Sequence, residues 1–315
     1  MRFSIYLSIV FGGALLLSSC EKSDTSIESE EQLSINIDES ARNSALQLYQ
    51  DYYLASANSS SDVSWTGNEP SCTPGTVPQD TKDKILLRLD YYRKAAGLNN
   101  VIEENTNKSQ KAQEAALMMH ANGALEHFPP NSWKCYTEDG SDAAANSLLT
   151  SIDGASAIDS YIRDHGASNG PVGHRRWLLW PRLQEMGIGN TNRYNALWVI
   201  GNAGPRPQDA PEFIAWPPQG YIPKQVTFPR WSFSIHNADF TQTNVKMKYK
   251  SGGTISLETE ELSNSFGDRT IVWVPNINTS TMDSDTIVEV TLENVVVNEI
   301  SIDYTYEVII FDARN

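Results

Sequence analysis

Basic residues are scarce in this chain: 24 Lys and Arg stand against 39 Asp and Glu, for a net charge of −15 and a pI near 4.7. No basic stripe is available to pair with phosphates, which excludes nucleic-acid partners and adhesion to anionic lipid surfaces. The acid is spread along the whole chain and reads as solubility rather than as a partner signal. Long apolar runs are missing beyond the first twenty residues, so no later segment has the length and hydropathy of a transmembrane helix. There is no H-E-x-x-H zinc-protease helix, and the serines near the later motifs, Ser141, Ser147 and Ser168, sit in turn-like contexts. Cysteine is nearly absent, with Cys20, Cys72 and Cys135 the whole supply.

What is present begins with an export signal over residues 1–19. Arg2 gives the positive start and residues 5–17 an apolar core too short to span a bilayer. Leu17-Ser18-Ser19-Cys20 resembles a bacterial lipobox, which implies cleavage before Cys20, acylation of that residue and a lipid-anchored protein of the bacterial cell envelope, periplasmic or cell-surface. An ordinary cleaved signal with a chance cysteine is the alternative. Residues 20–79 are rich in Ser, Asp, Glu, Asn and Thr and poor in aliphatics, the composition of a flexible tether. Leu46, Leu48, Tyr49, Tyr52, Tyr53 and Leu54 form one exception, read either as a short helix over 41–57 or as transient structure in a linker. With Cys20 lipidated, Cys72 and Cys135 remain as an exported pair, expected to form a disulfide, with two free thiols as the alternative.

The remaining residues change texture near Trp216 and divide into two domains, 80–216 and 217–315. In the first, Thr81 is the expected N-cap of a helix carrying Ile85, Leu86, Leu89, Tyr92 and Ala96 inward, and Gly97 stops it. A second helix starts near Ser109 and has a small-residue face of Ala112, Ala115, Ala116 and Gly123; His127 follows, before Pro129 and Pro130. Further helices are expected over 156–164 and 171–180, and strands over 186–189, 196–201 and 212–216. The second block alternates with period two, placing strands over 228–235, 245–249, 254–258, 270–274, 286–292 and 304–311. The fold class is α+β followed by an all-β immunoglobulin-like sandwich, with a single sheet or a barrel as the alternative for the second block.

The first block resembles the CAP superfamily, the cysteine-rich secretory, antigen 5 and pathogenesis-related 1 proteins. The resemblance lies in Leu86-x-x-x-Asp90-Tyr91-Tyr92-Arg93-x-x-x-Gly97-Leu98, in His127, and above all in the run from Gly173-His174-Arg175 through Pro181 to Gly187-Ile188-Gly189. It implies an α-β-α sandwich with one cleft, ringed by two histidines and two acidic residues. His127 and His174 take the histidine places. Asp164 matches the acid of the family's W-x-x-E pattern, with Tyr161 in place of tryptophan. The G-E-N-[IL] segment matches Ala144-Ala145-Asn146-Ser147, so the second acid is Ala145 here, and Asn146 is kept for a turn or a backbone hydrogen bond. The Trp216-Pro217-Pro218 junction with Trp231-Ser232-Phe233-Ser234 looks like bacterial members that carry an immunoglobulin-like module, expected here as a spacer.

Two neutral imidazoles and one carboxylate hold a tetrahedral cation with one open position. Loss of the second carboxylate weakens charge compensation and removes a general base. The reading is therefore a cleft of His127, Asp164, His174 and Asn146 that binds a small molecule, lipid or protein ligand without turnover and needs no cofactor. Its rivals are a divalent metal such as zinc on His127 and His174, and a metal-assisted or acid–base hydrolase in which Glu138 or Asp142 replaces the missing acid. Arg175 and Arg176 are expected to pair with Glu185 or Asp164, or to hold an anion at the rim. Trp177 and Trp180 read as core anchors, and His120, His165 and His236 as packed or surface residues.

Overall fold

A computed structural model describes residues 38–59 and 62–314. The expected signal segment, Cys20 and the start of the tether lie outside the described residues.

Helix α1, Glu39–Leu48, is capped by Asp38 and runs directly into a π-helical turn over Tyr49–Leu54. Helix α2 is Gln79–Ala95, α3 Thr106–Asn122, α4 Glu138–Asn146, α5 Ser156–Arg163 and α6 Gly173–Leu178. Pro78, not Thr81, occupies the α2 N-cap; Thr81 is buried in the first turn. Gly97, at φ 81°, ends that helix as its sequence context predicts. Asn105 caps α3, accepting from the Lys108 N–H, and Gly123 closes it in the left-handed region. Helix α4 carries three alanines and little apolar periodicity, and was not anticipated.

Strands β1 (Glu103–Glu104), β2 (Ser147–Thr150), β3 (Glu185–Asn190) and β4 (Asn195–Trp198) form a sheet in the order β1-β3-β4-β2. Alternation sorts its two faces. Leu148, Ile188 and Leu197 join the core under α2 and α5, while Leu149 and Ala196 join Ala112, Ala115, Ala116, Ala143 and Ala144 of α3 and α4. This is the expected α-β-α layering. Gly187 and Gly189 let α3 lie on the sheet: a Cβ on Gly189 would sit 2.0 Å from the Ala112 carbonyl oxygen.

The C-terminal part has two sheets. Strands β5 (Ile214–Trp216), β7 (Trp231–Ile235), β10 (Leu257–Thr259) and β11 (Arg269–Pro275) are ordered β10-β11-β7-β5. Strands β6 (Gly220–Pro223), β8 (Asn244–Tyr249), β9 (Thr254–Ile255), β12 (Thr286–Val297) and β13 (Ile300–Phe311) are ordered β6-β13-β12-β8-β9. Phe233 meets Tyr304 and Tyr306 between them, and Trp273 Nε1 reaches Met247 Sδ at 3.0 Å. The region is all-β, as its period-two pattern implied.

Two expectations are corrected. The strand near 212–216 is an edge of the C-terminal sheet, paired with β7, so the first domain's fold does not extend through Trp216. The proline-rich junction that follows holds a strand, β6, running parallel to β13. The described part of the supposed tether is also packed rather than free. Tyr49 is buried and stacks on Tyr53, both rings meet Tyr91 edge-on, and buried Arg88 binds Ser56 Oγ, the Tyr53 carbonyl and the Asp159 carboxylate. Arg42 pairs with Asp285 at 2.8 Å and lies over Phe311. Tyrosines supplied the apolar area that an aliphatic count understated. The described residues form one compact unit.

Candidate functional site

The loop after α3 carries His127. It is clamped at its base by reciprocal bonds between Asn122 and Lys134: the Asn122 Nδ2 donates to the Lys134 carbonyl at 3.0 Å and its Oδ1 accepts the Lys134 N–H at 3.1 Å. Beside the clamp, Cys135 is disulfide-bonded to Cys72 across a separation of 63 residues. The expected pairing is present. The His127 Nδ1 lies 2.9 Å from the Ala144 carbonyl oxygen. A carbonyl only accepts, so that nitrogen carries the proton and the neutral ring keeps a lone pair on Nε2.

His174 sits in the first turn of α6. Asp164 ends α5 in the left-handed region, φ 51°, a conformation aspartate tolerates better than most residues. The bend turns its fully buried carboxylate onto α6, where Oδ1 accepts from His174 Nδ1 at 2.7 Å and Oδ2 from the backbone N–H groups of His174 at 2.9 Å and Arg175 at 3.3 Å. His174 also stacks on Tyr161, whose hydroxyl donates among the Leu148 and Asn195 oxygens. With Nδ1 turned to Asp164, Nε2 is the acceptor whenever the ring is neutral.

Both imidazoles line one cleft of about 350 Å³. Ala145, Ser147 and Leu148 line it from α4 and β2; Ser168, Asn169, Pro171, Gly173 and Trp177 from the stretch around α6; and Ile200, Phe128 and Phe266 complete it. Most of that surface is apolar. Phe128 is 78 % exposed at the mouth, and Ser147, 1 % exposed, has an Oγ without a hydrogen-bond partner.

Other expected residues fall elsewhere. Asn146 lies between two lining residues but turns its side chain back to the Asp142 carbonyl at 2.9 Å, while its own carbonyl accepts from Val199 and Ile200. Asp164 reaches the cleft only through His174. Neither Glu138 nor Asp142 lines the cleft beside Ala145; Asp142 faces Lys111. Among the described residues no three His, Cys, Asp or Glu side chains gather around one point. The donor set toward the cleft is thus two imidazole nitrogens with the carboxylate turned away, which does not fit a three-ligand metal centre.

Residues 86–200 match the family model for the cysteine-rich secretory protein family, CAP. That stretch, about a third of the chain, is similar to a CAP domain. No curated protein matches the chain.

The arginines of the His174 motif do not make the expected ion pairs. Arg175 is buried and donates to the Ile162 carbonyl at 2.7 Å, the Arg230 carbonyl at 2.9 Å and Ser232 Oγ at 3.0 Å. Arg176 donates to the carbonyls of Ser263, Phe266 and Asp268. Burial pulls both guanidinium groups down to about 10. Glu185 instead pairs with Lys108. Both arginines therefore tie α6 to the C-terminal sheets, and Arg176 fixes the 263–268 loop that brings Phe266 to the cleft. A Cβ on Gly173 would come 3.0 Å from the Phe266 ring, so this glycine makes room for the incoming loop. Trp177, read as a core anchor, is partly exposed and lines the cleft. Phe128 and Phe266 carried no recognisable signal in the sequence, because a lone aromatic in a polar loop has no periodicity.

Of the other histidines, His120 packs on Trp65 and Tyr194 and bonds Thr191, and burial holds its pKa below the ordinary value. His165 is exposed, and His236 reaches the Asp268 carboxylate at 3.1 Å.

Proposed function

We propose that the CAP domain of this chain captures, without turnover, an amphiphilic small molecule whose polar end donates hydrogen bonds and whose body is apolar. The observation that carries this reading is the pairing of two imidazoles, each with Nδ1 committed to a protein acceptor, with a largely apolar cleft wall. In the neutral state their Nε2 atoms accept, and Ser147 Oγ adds a hydroxyl. Aliphatic and aromatic side chains give such a ligand's body its affinity. A carboxylate head would meet two lone pairs and is disfavoured; a hydroxyl or N–H head is matched.

The export signal and the lipobox resemblance at Cys20 extend the proposal to a lipid-anchored envelope protein, for which a disulfide is in keeping. The immunoglobulin-like reading of the C-terminal part belongs to the same proposal, though with a role beyond that of a spacer, since Phe266 lines the cleft.

The test is a titration of the folded chain with 1-dodecanol and with dodecanoate at pH 7.5, followed by Trp177 fluorescence and native mass spectrometry. The alcohol should bind and dodecanoate should bind at least about ten-fold more weakly, the discrimination expected when a polar head is left unmatched. Equal affinity, or binding that survives His127→Ala with His174→Ala, overturns the reading.

One observation favours a second reading. The Asp164–His174 pair has the arrangement of an orienting acid and a general base, and Ser147 and Ser168 line the same cleft. Turnover of a p-nitrophenyl ester abolished by His174→Ala would establish it in place of the first.

A further inference from the structure

At the seam between α6 and the sheet containing β5 and β7 lies a narrow cavity with room, about 10 Å³, for the centre of one water-sized body. Arg175, Arg176, Trp216, Ser232 and Asp268 are among its walls. Three N–H donors on those walls have no acceptor: Arg175 Nη2, Arg176 Nε and Trp216 Nε1. Their residues are 1 %, 5 % and 1 % exposed, so bulk solvent does not serve them. Ser232 Oγ accepts from Arg175 Nη1, which leaves its proton free to donate as well. The carboxylate that might have answered these donors is occupied. Asp268 Oδ1 takes Trp180 Nε1 at 3.0 Å and His236 Nδ1 at 3.1 Å, and Oδ2 takes Arg206 Nη1 at 3.3 Å.

Ser234 also lines the cavity; its hydroxyl donates to Thr270 Oγ1, whose own proton goes to the Asp268 carbonyl, so it offers one acceptor oxygen against four donor groups and donors outnumber acceptors. Charge is unbalanced in the same sense: two arginines and one aspartate wall it, and two minus one leaves a positive charge. Buried donors and buried charge are both costly when unanswered. A single water accepts two hydrogen bonds, brings two protons that need acceptors of their own, and carries no charge. It answers two of the donors at most and leaves the charge as it was.

We propose that this cavity binds one monovalent anion of about the size of chloride, held by Arg175, Arg176, Trp216 and Ser232. A spherical anion accepts from all four and cancels the surplus charge, and the arginine ends adjust to its radius. Because Arg175 and Arg176 flank His174 on one side and reach the C-terminal sheets on the other, the ion is a third partner in their seam. The chain's stability then depends on halide at fixed ionic strength.

The experiment uses the whole mature chain. Crystals grown with bromide in place of chloride are measured for anomalous scattering, and thermal unfolding is followed as chloride replaces methanesulfonate, too large for the cavity, at constant ionic strength. The expected results are an anomalous peak within hydrogen-bonding reach of Arg175 Nη2 and Trp216 Nε1, and a midpoint about 5 °C higher in chloride. Trp216→Phe should weaken the chloride response roughly ten-fold, the loss of one buried donor to an ion. A cavity filled by ordered water, with no anomalous signal and equal midpoints in the two salts, overturns the proposal. The bromide measurement on the unaltered chain decides the matter even if the variant does not fold.

Discussion

Arg230 and Asp164 meet across the seam: the arginine Nη1 donates to the main-chain carbonyl of the aspartate at 2.7 Å, while that aspartate's carboxylate holds His174. Arg230 also donates to the Gly166 carbonyl and pairs with Glu260. A residue of the C-terminal part thus steadies the bend that orients a cleft histidine. Arg230→Ala is expected to cost about 2–3 kcal/mol, since it strands two carbonyls and a carboxylate. It should also weaken cleft binding. Urea unfolding and the alcohol titration measure the two effects, and an unchanged affinity would show that Asp164 holds His174 without help.

Phe128 separates binding from stability. At 78 % exposure it contributes little to the core. Phe128→Ser should leave stability within about 0.5 kcal/mol and reduce affinity for an apolar-bodied ligand by roughly five- to ten-fold. A stability loss beyond 1 kcal/mol would mean that the ring packs more than its exposure implies.

Acid should loosen the contact between α3 and β3. Glu185 accepts from Asn105 and Asn202 and pairs with Lys108, and these partners pull its carboxyl from an ordinary 4.5 to about 2. A folded-state value below the unfolded one stabilises the chain above pH 4.5, and that stabilisation fades as pH falls toward 2. Because the side chain is partly exposed, the effect is expected to be at most about 1 kcal/mol. Stability curves between pH 6 and pH 2 should be flatter in this window for Glu185→Gln, and parallel curves would contradict the assignment.

Gly189 is constrained by space and not by φ. Gly189→Ala places a methyl 2.0 Å from the Ala112 carbonyl oxygen, so helix and sheet must part. A loss of about 3 kcal/mol or more is expected. Gly123→Ala, with nothing within 4 Å but φ 60°, should cost only about 1 kcal/mol. Calorimetry on the two variants tests the ranking.

Helices α2, α3, α5 and α6 and strands β3 and β4 were legible because they carry a local code, as in the apolar spacing of α2, the small-residue face of α3 and the Gly-x-Gly of β3 that admits a helix, whereas α4 and the short strands β1 and β2 carry none. The site was legible where a side chain and its partner lie close in sequence, as His174 and Asp164 do. What escaped depends on contacts between distant segments. Arg175 and Arg176 look like surface charges beside His174, and only the arrival of residues 230–232 and 263–268 makes them buried donors to main-chain carbonyls. Composition also misled. The polar stretch before residue 79 reads as a tether, yet Tyr49, Tyr53, Val63 and Val77 give it enough apolar surface to be held.

If Cys20 is acylated as proposed, the docking of α1 limits how far the protein can stand off from a bilayer. On the proposed anchoring at Cys20, eighteen residue steps separate the acylated position from Asp38, the cap of α1. Even fully drawn out, that leash measures about 60 Å. The cleft would then patrol a thin shell next to its own membrane, and any molecule it collects must be found there or delivered there.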